Sequence, residues 1–214
     1  MAYDLYVITD PAIARGMPHG GIAHRVVEGG ADAVQLRDKT LPGRDLFAVA
    51  CEIREITEES GVLFFVNDRI DIALAAGADG VHLGQGDLPV REARSISPEG
   101  LIIGVSVGSV SEAVAAESAG ADYLSLSPIF PTTSKKDAGP GHGLVVLQAI
   151  CASVTLPVIA IGGITPRNVP EVIAAGAEGV AVISAVIAQE DITAAARHMK
   201  AIIRDSKERV RQIR

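Results

Sequence analysis

Four times in this chain a Gly-Ala-acid signal runs straight into a short apolar stretch. The copies are Gly30-Ala31-Asp32 before AVQL, Gly77-Ala78-Asp79 before GVHL, Gly120-Ala121-Asp122 before YLSL and Gly176-Ala177-Glu178 before GVAV. They lie 47, 43 and 56 residues apart (30 to 77, 77 to 120, 120 to 176). A recurrence in fixed phase marks repeated supersecondary units. Each interval is too long for one strand–helix unit and about right for two, so the signal labels every second strand of an eight-strand series.

Strand-like apolar runs at 4–8, 33–36, 63–66, 80–83, 102–105, 123–126, 158–161 and 180–183 support that count. Helical patterns separate them, most clearly at 44–59, 88–96, 110–119, 166–175 and 191–209. Such alternation implies βαβ units and a parallel sheet. Eight strands in 214 residues predict one compact (β/α)8 barrel over 1–214, at the small end of its size range. The competing open sheet would need an early strand–GxGxxG–helix, and none opens the chain. With 48% hydrophobic but only 3% aromatic residues, the expected core is Ala, Val, Ile and Leu.

A net charge of −7 argues against nucleic-acid or anionic-membrane partners. It leaves room for a phosphorylated small substrate, because local cations or a metal can reverse the sign inside a pocket. Cys51 and Cys151 follow no redox or metal spacing and read as buried helical thiols. No window matches a membrane span and MAYDLYVITD carries no basic-then-apolar leader, so the expected compartment is the cytoplasm. A homo-oligomer remains open.

In a barrel of this kind chemistry sits where the strands end. Thr9-Asp10 follow strand one. Alternation after strand two puts Gln35, Arg37 and Lys39 on one side, and two cations converging there make an anion site. Asn67 and Asp68 after strand three, with Asp87 after strand four, suit a hard cation such as Mg²⁺. Alternatively, Asp68 could cap a helix starting near Arg69, and Asp87 one starting near Leu88. Ser106 ends strand five. The long stretch 127–143 brings Thr132, Ser134, Lys135 and Lys136 as a candidate lid. Gly162-Gly163 after strand seven and Ile183-Ser184 after strand eight resemble the recurrent backbone phosphate site of such barrels, although Gly-Gly can also be turn chemistry.

None of the histidines makes a catalytic case from sequence. His82 reads equally as core, His19 and His24 precede or sit on the first helix, His142 is loop-borne and His198 helical. Without a legible nucleophile–base set, covalent catalysis is not expected. The pattern is two anion sites, one cationic and one of backbone, which suits joining a diphosphate-bearing substrate to a monophosphate-bearing one.

These residues resemble the thiamine phosphate synthase family. The likeness runs through YVITD (6–10), QLRDK (35–39), FFVNDRIDIAL (64–74), GADGVHLGQGDLP (77–89), IIGVS (102–106), SPIFPTTSKKDA (127–138), VIAIGGI (158–164) and GVAVISA (179–185). It implies that Gln35, Arg37, Lys39 and Asn67 bind the diphosphate of 4-amino-5-hydroxymethyl-2-methylpyrimidine diphosphate. It gives Asp68 and Asp87 to Mg²⁺, and Ser106 and Lys135 to the same pocket. Thr132, Ser134, Gly163, Ile183 and Ser184 would hold 4-methyl-5-(2-phosphoethyl)thiazole. The implied reaction expels diphosphate first, and the thiazole nitrogen captures the resulting pyrimidine-methyl cation.

The chain departs from the family in two places. Val107-Gly108 follow Ser106 where a His-containing pair is usual, and Ser134 replaces a common Thr. A related thiazole tautomerase usually has a His at the end of strand six, here Pro128, and lacks the full diphosphate set. A binding barrel without turnover is the other alternative.

Overall fold

A computed structural model of the chain describes residues 3–132, 134 and 139–213. Eight parallel strands pair in chain order and close on themselves: β1 (Leu5–Ile8), β2 (Ala33–Leu36), β3 (Leu63–Asn67), β4 (Gly80–Leu83), β5 (Ile102–Val107), β6 (Tyr123–Leu126), β7 (Val158–Ile161) and β8 (Gly179–Val182). Around them lie α1 (His19–Glu28), α2 (Gly43–Ser60), α3 (Ile70–Ala75), α4 (Val90–Ile96), α5 (Val110–Ala119), α6 (Gly143–Ser153) and α7 (Val169–Ala174). The short α8 (Ser184–Ile187) and the long α9 (Ile192–Ile213) follow β8. The (β/α)8 barrel expected from the repeat is therefore the fold. Helices cover the strands outside and side chains fill the inside, so four-residue apolar runs such as Leu5–Ile8 and Val158–Ile161 are buried on both faces.

Each residue of the repeat has one job. The glycines Gly30, Gly77, Gly120 and Gly176 have φ between 64° and 105°, a region costly for any residue with a Cβ. In each copy the glycine N–H reaches back three residues and the alanine N–H five, for example Gly30 to Val27 at 2.9 Å and Ala31 to Val26 at 3.0 Å. That pair of bonds is a Schellman ending, which satisfies the last helical carbonyls. The acid then ties down the preceding strand. Asp32 Oδ2 accepts from Leu5 N at 2.8 Å, Asp79 Oδ2 from Phe64 N at 2.7 Å and Asp122 Oδ2 from Ile103 N at 2.7 Å.

A helical cation completes each tie: Lys200 on Asp32, Arg54 on Asp79, Arg94 on Asp122 and Lys207 on Glu178. We expect Asp79→Ala to cost about 1–3 kcal/mol, because a buried strand N–H loses its acceptor and Arg54 its partner. Denaturant unfolding checks this; a loss under about 0.5 kcal/mol would mean the tie carries no stability.

The aliphatic-core expectation holds for the layer between strands and helices but not for the barrel interior. All three tyrosines and Phe65 meet there, with ring centroids 5.2–6.2 Å apart. Low aromatic content concealed a concentration of rings at one place. Gly80 and Gly104 make room, since a Cβ at either would lie 2.5 Å from the Phe65 ring or 2.0 Å from the Tyr123 ring. The cysteines are free but half-buried rather than buried. Cys51 flanks the inward stripe Leu46, Ala50, Ile53, Thr57 of α2, and Cys151 flanks Leu147 and Ile150 of α6. Burial pushes the Cys151 thiol up to about 11, leaving it protonated and unreactive. Among the described residues no helix is long and apolar enough to cross a membrane.

Candidate active site

Where the strands end, a cavity of about 270 Å³ opens into the barrel mouth. Gln35, Arg37, Lys39, Asn67, Asp68, Asp87 and Ser106 all line it, brought together from β2, β3, β4, β5 and the loops that follow. Arg37 makes no ion pair among the described residues, so its guanidinium is available to a ligand. Lys39 approaches Asp68 at 3.9 Å while staying exposed.

The two aspartates do not cap helices. Asp68 sits at φ 62°, a left-handed conformation costing about 1 kcal/mol or more in a non-glycine residue. Arg69 N bonds the Asn67 carbonyl at 2.7 Å, closing a tight turn around Asp68. Helix α3 then begins after Arg69 without a side-chain cap. Asp87 Oδ2 accepts from Gly84 N at 2.6 Å, which folds the loop ahead of α4 back on itself.

The two carboxyls consequently face each other. Burial, then the Asp87 carboxyl, raises Asp68 to about 6 against the weaker pull of Lys39 and Arg37. The Lys39 contact is long and exposed, so it cannot offset a carboxylate at close range.

This donor set fits Mg²⁺, which takes one or two protein carboxylates and completes its shell with water and phosphate oxygens. Among the described residues no cluster of three or more ligating side chains exists, so substrate oxygens would have to complete the shell. Without metal, a folded-state value raised above the unfolded one gives stability that is complete below about pH 4. That stability is lost as pH rises through about 6. In chelator, Asp68→Asn should therefore be more stable than wild type at pH 7 and equal to it near pH 4. A difference that does not vary with pH in thermal melts would contradict the paired carboxyls.

Beneath these groups runs a hydrogen-bond chain that sequence reading missed. Gln35 Nε2 donates to the Tyr6 hydroxyl at 2.9 Å, which lies 3.2 Å from the Tyr123 hydroxyl. Tyr123 in turn meets His82 Nδ1 at 2.9 Å, and His82 Nε2 meets Ser106 Oγ at 2.9 Å. Burial pushes both phenols upward, so they stay neutral. His82 is thus a lining residue of the cavity floor. Strand alternation could have found it, since Gly84 two positions on lines the same cavity.

A second cavity of about 550 Å³ adjoins the first. Thr132, Ser134, Gly163, Ile183 and Ser184 line it, and Ser134 Oγ lies 3.2 Å from Ser184 Oγ. Gly162 and Gly163 are required by their neighbours as well as by φ of 96° and 64°. A Cβ on either would lie 2.5 Å from the Pro128 side chain or 2.7 Å from that of Phe130. Ile161 and Ala181 line both cavities, so the two adjoin there. Lys135 and Lys136 lie outside the described residues. At the Val107-Gly108 departure, the glycine packs against a loop-borne ring. The His142 ring comes within 3.1 Å of where a Gly108 Cβ would be.

Residues 5–186 match the family model described as thiamine monophosphate synthase. The chain belongs to that family. Its relatives match it over nearly their whole length. The thiamine-phosphate synthase of Methanoculleus marisnigri is 62% identical over 94% of this chain and 95% of its own. That of Methanoregula boonei is 57% identical over 100% and 99%. Among solved structures, the thiamine phosphate pyrophosphorylase of Pyrococcus furiosus superposes with a TM-score of 0.89 at 44% identity, covering 95% of this chain and 96% of that one. This member of the family is an enzyme, a transferase of thiamine biosynthesis with a TIM-barrel fold.

Proposed function

We propose that the enzyme condenses 4-amino-5-hydroxymethyl-2-methylpyrimidine diphosphate with 4-methyl-5-(2-phosphoethyl)thiazole, giving thiamine phosphate and diphosphate. One observation carries the reading: a cationic, carboxylate-bearing cavity and a glycine- and hydroxyl-lined cavity share the wall Ile161 and Ala181. Two anionic substrates, one in each cavity, would bring their uncharged reacting ends together at Ile161 and Ala181, where the cavities adjoin.

Arg37 and Lys39 would grip the diphosphate, with Asn67, Ser106 and Lys135 beside them. Charge gathers on that group as its C–O bond breaks, so their attraction grows toward the transition state. Asp68 and Asp87 would hold Mg²⁺, which when bound supplies positive charge against the departing diphosphate. Gln35 reads differently from its neighbours. Its amide nitrogen gives one hydrogen to Tyr6, which leaves a second N–H for a diphosphate oxygen and the amide oxygen, an acceptor, for the ring amino group. Thr132, Ser134, Gly163, Ile183 and Ser184 would bind the thiazole phosphate through hydroxyls and backbone N–H groups. Holding both partners in line adds an entropic advantage, and no general base is needed because the attacking ring nitrogen carries no proton.

Purified protein with Mg²⁺ and both substrates should release diphosphate and form thiamine phosphate, with neither product when one substrate is left out. Conversion of a thiazole alone would identify a tautomerase, and binding without turnover a non-catalytic barrel. Either result would overturn the proposal.

A further inference from the structure

We infer that His19 is a positioning residue for the diphosphate site, holding through Asp38 the turn that carries Arg37 and Lys39. The inference rests on the function proposed above. Arg37 and Lys39 line the cavity, whereas Asp38 between them does not. Asp38 points back into the fold instead. Its Oδ1 accepts from Thr40 N at 2.7 Å, the Thr40 hydroxyl at 2.7 Å and Leu41 N at 2.9 Å. Its Oδ2 lies 3.2 Å from His19 Nε2.

Burial opposes ionisation of Asp38, but these hydrogen bonds win and hold it at about 2. A carboxylate only accepts, so the His19 Nε2 carries the hydrogen. Behind it, His19 Nδ1 lies 2.7 Å from Thr9 Oγ1, and that oxygen lies 3.2 Å from the Gln35 carbonyl, so the one hydroxyl hydrogen has two acceptors within reach. The ends of β1 and β2, the start of α1 and the turn 38–41 are thereby locked together.

Thr9–His19–Asp38 has the order of a hydrolytic triad, yet it offers no nucleophile. Thr9 is completely buried and its hydroxyl is occupied. What the arrangement does offer is rigidity where it is needed. The chain leaves the sheet after Leu36, and Arg37 and Lys39 repel each other on the same side of an unpaired segment. Fixing that segment before the ligand arrives spares the ordering cost on binding. No sequence signal marked His19, because its partners are 10 and 19 residues away on other elements.

Calorimetric binding of inorganic diphosphate with Mg²⁺, read beside steady-state kinetics and thermal melts, tests the inference. His19→Ala should weaken diphosphate binding and raise the KM for the pyrimidine diphosphate, each about tenfold, while the thiazole phosphate KM stays within twofold. His19→Gln, which keeps an N–H near Asp38, should recover most of the loss. Asp38→Asn provides the same reading if His19→Ala does not fold. Unchanged diphosphate affinity in folded variants, or a uniform loss that tracks melting temperature in Ala and Gln alike, would overturn the inference. Failure of the wild type itself to bind diphosphate would instead overturn the function beneath it.

Discussion

Asp87→Ala is expected to reduce turnover by about a thousandfold while the barrel stays folded. The side chain has two tasks on its two oxygens. One accepts the Gly84 N–H, and the carboxyl as a whole faces Asp68. Losing the first costs about 1 kcal/mol of loop stability. Losing the second leaves one carboxylate in place of two, so a divalent ion would be held more weakly and the leaving group would lose charge set against it. Asp87→Asn separates the tasks, because its amide oxygen can still accept from Gly84 but carries no charge. Both variants should be comparably slow, and both should need far more Mg²⁺ for what activity remains. A near-wild-type rate with an unaltered Mg²⁺ requirement would remove Asp87 from the site.

Arg37→Ala should lower kcat by about a hundredfold or more, the scale of removing one preorganised charge from a site of developing negative charge. Arg37 has no carboxylate partner among the described residues, so its loss strands no buried acid and stability should change little. Arg37→Lys should rescue poorly, since a point charge cannot reproduce a two-pronged grip on neighbouring phosphate oxygens. Rapid-quench measurement of diphosphate release isolates the affected step. If only the KM for the thiazole phosphate moved, Arg37 would belong to the other cavity.

Much of this arrangement was legible before any coordinates. Buried parallel strands read as apolar runs, so β2, β4, β6 and β7 begin and end where the sequence places them. Arg37, Lys39, Asp68 and Asp87 followed from one rule, that chemistry sits where barrel strands end. Other features depend on closure of the barrel. Tyr3, Tyr6, Phe65 and Tyr123 are neighbours only because the cylinder folds their strands onto one axis. Helix ends were harder to place than strands. α4 starts at Val90 rather than 88, because Pro89 holds the extended backbone of a cap. α7 starts at Val169 rather than 166, because residues 165–168 form a turn around the Asn168 side chain. The acids of the repeat were visible, but their bonds to the preceding strands were not, since these join residues up to 28 positions apart.

Those acids give the cylinder a seam. Asp32, Asp79 and Asp122 each fasten a strand to the one just before it in sequence, so these links close over short loops and can form early. Glu178 breaks the series. Among the described residues its carboxylate meets only Lys207, which, like the Lys200 that joins Asp32 to Asp4, comes from the last helix and also grips Asp4 beside the first strand. The junction of β8 with β1 is therefore expected to zip up last, and to be where a partly unfolded molecule first opens.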